Sequence, residues 1–162
     1  MNKHLKKWVL TFSVFAIGLV ITFYLSAPKA TSQVNEPAEI TGAITDQEAA
    51  QACFVLLERN LQAATEKDID AYTDTLVLHA EEETKAEMIP FFDEYTLAHT
   101  LLSFEVIKQE ANTMLVAAQQ KTINLGENNY RNHITQAHHT FIKEGAEWKI
   151  QQTVMTNTEF LD

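Results

Sequence analysis

At about Tyr95 the spacing of apolar residues along this chain changes period, and that change restricts the fold more than any other feature. Before it, Ala49, Ala50, Cys53, Phe54, Leu57, Leu61 and Ala64 recur at three- and four-residue intervals, which lines one face of a helix running to about Thr65. Thr45-Asp46-Gln47-Glu48 reads as a capping box that starts this helix, with Thr45 as the N-cap. Asp68 is a second N-cap candidate, opening a short helix (IDAYTDTL) with Ile69, Tyr72 and Leu76 on one side. A third helix is expected from about Glu82 to Tyr95, with Ala86, Ile89 and Phe92 or Phe91 on its apolar side and Pro90 kinking its middle.

After Tyr95 the runs are strand-like: Thr100 to Gln109, Thr113 to Asn124, Tyr130 to Lys143, and Trp148 to about Thr158. Glu110-Ala111-Asn112, Leu125 to Asn129 and Glu144 to Glu147 are the turns between them. Helices followed by four successive strands predict an α+β domain, about three helices packed against one face of a curved four-stranded antiparallel sheet.

Ahead of this domain, Trp8 to Leu25 is eighteen residues without a charge. A helix of that length spans roughly 27 Å, close to the hydrocarbon core of a bilayer. Lys3, Lys6 and Lys7 precede it and Lys29 alone follows closely, so the positive-inside rule keeps the N-terminus cytoplasmic. The sequence-based organisation is a cytoplasmic tail (1–7), a single-pass signal-anchor (8–25), a tether (26–42) and an extracytoplasmic domain (43–162). The tether has two prolines and few large apolar residues, a composition that favours an extended linker. Eighteen apolar residues exceed the usual core of a cleaved signal, and the alternative is a secreted product cut near Ser32.

From Ser32 onward there are 8 Lys/Arg against 22 Asp/Glu, a balance of −14. Nucleic acids and anionic lipid surfaces are therefore poor partners for the domain. The acidic run Glu81-Glu82-Glu83 lacks the alternating ligands and glycine turn of a calcium loop, and the lone Cys53 reads as a small core residue.

The chain resembles the nuclear transport factor 2-like superfamily, which includes the SnoaL-like proteins and shares the cystatin-like cone. The resemblance covers about Thr45 to Phe160. It is carried by "ATEKDIDAYTDTL", "ETKAEMIPFFDEY" and the last hairpin, "HHTFIKEGAEWKIQQTV". It implies helices and a concave sheet enclosing a conical pocket, used by some members for catalysis and by others for binding or assembly. The anchored layout is also similar to that of assembly factors of secretion and conjugation systems.

Pairing Phe141 with Trp148 across the last turn places Arg131, His133, Thr135, Ala137 and His139 on the inward face. Tyr72, Arg131, His133 and His139 are the pocket candidates. His133 and His139 lie roughly 20 Å apart along a strand, so no metal or cofactor site is expected from them. A catalytic reading, as an isomerase, dehydratase or hydrolase, would use Asp70 or Asp74 as base with Tyr72 and His133. The simpler reading gives those aspartates to a cap and a solvated helix face, and makes the module non-catalytic. Its partners are then the membrane, a small ligand, envelope proteins, or a second copy through the outward face bearing Ile134, His138 and Ile142.

Overall fold

The computed structural model describes residues 38–161; the tail, the apolar run Trp8 to Leu25 and most of the tether lie outside the described residues. Among the described residues no helix is long and apolar enough to cross a membrane. The elements are β1 (Ile40–Gly42), α1 (Gln47–Glu66), α2 (Ile69–Asp74), a 3-10 turn (Leu78–Ala80), α3 (Glu81–Glu94), β2 (Leu97–Gln109), β3 (Thr113–Asn124), β4 (His133–Glu144) and β5 (Glu147–Phe160). Helices followed by an antiparallel meander are thus observed, but the sheet has five strands, in the order β1-β2-β3-β4-β5.

The additional strand is β1, which pairs in parallel with β2 and was assigned by sequence to the tether. Three residues are too few to display a period of two. What holds them is backbone: Ala43 donates its N–H to the Val106 carbonyl at 2.7 Å, and Gly42 adopts φ 98° against β2. A Cβ at Gly42 would lie 2.3 Å from the Val106 carbonyl oxygen, so Gly42→Ala must break this pairing. We expect that variant to lose about 1–3 kcal/mol in urea unfolding and to expose the β2 edge to hydrogen exchange.

Helix α1 begins one residue later than the capping box suggests. Gln109 Oε1 accepts from both the Thr45 and Asp46 N–H groups, at 2.8 and 3.1 Å, and Gln109 Nε2 donates to the Asp46 carbonyl. With Thr45 drawn onto the end of β2, Asp46 becomes the N-cap and accepts from the Ala49 N–H at 3.0 Å. The helix ends at Lys67, whose φ of 60° is a left-handed C-cap. Asp68 caps α2 as the sequence predicts, accepting from the Ala71 N–H.

The buried face of α1 lies on the inward side chains of the sheet. Phe54, Leu57, Phe104, Val106, Met114, Val116, Phe141, Trp148 and Ile150 belong to one core. Phe104 and Phe141 are fully buried, and Phe54 meets Phe104 edge-on at 5.4 Å. Cys53 sits in the same core, where burial pushes its thiol up to about 12 and leaves it unreactive.

Helix α3 departs from its sequence reading. It continues through Pro90, and of its residues Phe92 alone is buried, while Ala86 and Ile89 are exposed. It packs on α2 and the 3-10 turn rather than on the sheet, so most of its expected apolar side has no surface to cover. The last hairpin is shifted as well. Phe141 pairs with Ile150, and Trp148 with Lys143, because Glu144 and Glu147 close a two-residue turn at Gly145 (φ 65°). The shift is an even number of residues, so Trp148 still faces inward.

Candidate functional site: the concave face and the mouth of the cone

The register aligns inward side chains in rows across the sheet. The outermost row is His99, Thr122, His133 and Phe160; the next is Leu101, Gln120, Thr135 and Thr158; then come Phe104, Ala118, Ala137 and Met155. The narrow end under α1 is apolar, and polar side chains gather at the wide end. There β5 is open to solvent: Thr153, Met155, Thr158 and Phe160 face inward yet remain exposed.

His139 is buried at 2 % exposure, with both ring nitrogens engaged. Gln120 Nε2 donates to His139 Nε2 at 2.8 Å, and the Nδ1–H then donates to Thr153 Oγ1 at 3.0 Å. Gln120 reaches along the sheet because the intervening Ala118 and Ala137 are small and well buried. Burial, reinforced by nearby His138, lowers the imidazole to about 4 and keeps it neutral. His99 is lowered to about 4 by burial and by the proximity of His133, and its Nδ1 lies 3.2 Å from Thr122 Oγ1.

The remaining candidates occupy different environments. Tyr72 is packed edge-on against Phe92 at 5.8 Å beside Asn60, and burial raises its phenol above the usual range. Asn60 in turn donates to Thr75 Oγ1 at 2.7 Å, a closed polar network beneath α1 and α2. His133 heads β4 and donates from Nδ1 to the Arg131 carbonyl at 2.9 Å, leaving Nε2 free. Arg131 is not on the inward face of a strand as the sequence suggests. β4 starts only at His133, since Asn132 is used as a clamp: its side chain accepts from the Asn124 N–H and its carbonyl from the Leu161 N–H. Arg131 is therefore an exposed loop residue, its guanidinium carbon 3.9 Å from the centre of the Phe160 ring.

Asp70 and Asp74 do not join these groups. Asp70 pairs with Lys85 at 2.9 Å, and Asp74 pairs with Arg59 and accepts weakly from Lys149 at 3.6 Å. Both are exposed, and Asp74 alone of the two lines a shallow cleft of about 370 Å³, with Ala52, Val55, Arg59, Trp148 and Lys149. The inward positions of β2 to β5 carry no carboxylate. Among the described residues no three histidine, cysteine or acidic side chains cluster as a metal site would require.

What sequence reasoning missed is the aromatic rim of the mouth. Phe91, Tyr95 and Tyr130 meet in turn as tilted rings, with Phe91–Tyr95 at 5.1 Å and Tyr95–Tyr130 at 5.0 Å between centroids. Tyr130 meets His133 at 5.8 Å, and His133 meets Phe160 at 6.1 Å. These residues come from α3, the segment before β4, and the end of β5; no local pattern links them.

A protein-family model described as "Anti-sigma-I factor RsgI9, C-terminal domain" matches residues 55–161. The chain belongs to this family. The match takes in most of α1, the remaining helices and the whole antiparallel meander of this RsgI9-type domain. No curated protein sequence matches the chain. Solved structures place its fold among the nuclear transport factor 2-like cones. A cystatin-like protein of unknown function from Nostoc punctiforme superposes with a TM-score of 0.59 at 11% identity, over 68% of this chain and 91% of that one. A nuclear transport factor 2-like protein from Pseudomonas putida gives 0.58 at 13% identity, over 68% and 87%. One from Novosphingobium aromaticivorans with a cystatin-like fold gives 0.57 at 16% identity, over 71% and 83%. At such identities the likeness is one of fold.

Proposed function

We propose that the chain is a membrane-anchored, extracytoplasmic binding module without catalytic activity, whose RsgI9-type cone senses a ligand outside the cell. One observation carries the reading. The wide end of the cone offers hydrogen-bonding side chains to solvent, Thr153, Thr158 and His133, while its most deeply buried titratable group, His139, is already satisfied by neighbours. A general acid or base must instead be free to exchange a proton with substrate. His139 is neutral with both nitrogens occupied, and the nearest aspartates are committed to ion pairs on the outer side.

The anti-sigma-I description of the family supports a regulatory, signal-receiving role over one in secretion or conjugation machinery. Anchoring rests on the apolar run Trp8 to Leu25 and its basic N-terminal flank. Two experiments test the proposal. N-terminal analysis of the membrane fraction should find the intact chain, and a mature form starting near Gln33 would refute the anchor. A library of small neutral and charged compounds should yield at least one that raises the Tm and shifts the Thr135 and Thr158 resonances unchanged by the protein. Turnover that is abolished by His139→Gln would reverse the non-catalytic assignment.

A further inference from the structure

Arg131 stands apart from its surroundings in this acidic domain. It is one of two arginines, and the other, Arg59, is paired with Asp74. Among the described residues no carboxylate lies within 4.0 Å of the Arg131 guanidinium, although acids outnumber bases by 22 to 8 from Ser32 onward. Its position is nevertheless set. The guanidinium lies over the Phe160 ring at 3.9 Å, and its backbone carbonyl accepts from His133 Nδ1. A stacked guanidinium keeps its N–H donors at the ring edge free for a planar bidentate acceptor.

Beside it His133, Tyr130, Tyr95 and Phe91 form a chain of tilted ring contacts at the open end of the cone. Phe160 is 48% exposed and Tyr95, Tyr130 and His133 are half-buried, so the edges of this ring cluster meet solvent. A fixed cation at one end of an aromatic surface selects a ligand with a flat ring and a carboxylate.

We infer that the mouth of the cone binds an aromatic carboxylate, with Arg131 holding the carboxylate and Tyr95, Tyr130 and His133 stacking on the ring. The inference rests on the binding reading above and names the ligand class. The carboxylate takes the in-plane donors of Arg131, and the Nε2 of His133, unprotonated when the ring is neutral, leaves that nitrogen as an acceptor for a ring hydroxyl. Phe160 acts as a positioning residue that holds the guanidinium flat.

The experiment uses the full chain in detergent micelles and three probes: benzoate, benzamide and cyclohexanecarboxylate. Benzoate should shift the Arg131 side-chain and His133 ring resonances saturably. Benzamide, which lacks the charge, and cyclohexanecarboxylate, which lacks the flat ring, should bind about tenfold more weakly or worse. Arg131→Gln should weaken benzoate about tenfold while the His139 ring resonances stay in place, showing that the fold is intact. Arg131→Lys should recover a part of the loss, because it restores charge without the planar fork. Equal binding of benzoate and benzamide, unchanged affinity in Arg131→Gln, or no response to benzoate at the mouth would each overturn the assignment. A library hit elsewhere on the concave wall would then leave the binding reading standing, and a library without hits would remove both.

Discussion

Phe104→Ala is expected to destabilise the domain by about 3–5 kcal/mol, against a stability of about 5–15 kcal/mol for an ordinary domain. Phe104 is fully buried on β2, edge-on to Phe54 of α1 and 6.2 Å from Phe141 of β4. Three separate elements thus meet on one ring, and none can move into the vacated volume without giving up backbone hydrogen bonds. Urea unfolding monitored by tryptophan fluorescence measures the loss directly, since Trp148 shares this core. A loss below about 1 kcal/mol would mean that the apex collapses around the deletion, contrary to the packing described.

Acidification from pH 7 to pH 4 should remove about 3 kcal/mol through His139 alone. The free imidazole titrates at 6.5 and the folded one at about 4, so the unfolded chain takes up a proton that the folded chain resists. The loss therefore begins as pH falls below about 6.5 and is complete below about 4. His99, lowered by burial and by the proximity of His133, adds to it with the same sign. His139→Gln should be less stable at neutral pH, where the hydrogen bonds to Gln120 and Thr153 are disturbed, yet lose about 3 kcal/mol less than the parent between pH 7 and 4. Parallel pH profiles for the two proteins would show that His139 protonates freely in the folded state.

Both effects depend on which side chains face inward, and that much could be read along the chain. The alternation Thr135, Ala137, His139, Phe141 on β4 places the same residues inside in the structure, and the three-four spacing of α1 marks its buried face. Side-chain phase within an element is a local property of a period of two or 3.6. The two-residue shift of the last hairpin preserves it for Trp148 and Ile150, because an even shift keeps the face, whereas the bulges opposite Thr140/Phe141 and Gln136/Ala137 change the phase farther along β5.

Element ends and contacts between elements were less legible. Thr45 has the chemistry of an N-cap, but Gln109, more than sixty residues away, occupies its N–H and transfers the cap to Asp46. Arg131 continues the inward phase of β4 on paper, and leaves the strand because Asn132 ties the loop to Asn124 and Leu161. β1 was hidden in a tether-like composition, since only Ile40 of its three residues adds apolar packing and the main-chain pairing at Gly42 leaves no mark in the sequence.

The sequence by itself determined the class of this domain, helices first and an antiparallel meander after, along with its acidity, the buried face of α1 and the inward residues Thr135 to Phe141 of β4, all of which follow from local spacing and composition. Only the tertiary structure decided that α3 stands off the sheet, that Asp70 and Asp74 are committed to outward ion pairs, and that Arg131 lies over Phe160 beside Tyr130 and His133. Those facts depend on how far one element lies from another, and a residue's chemistry at the mouth is set by neighbours from distant parts of the chain.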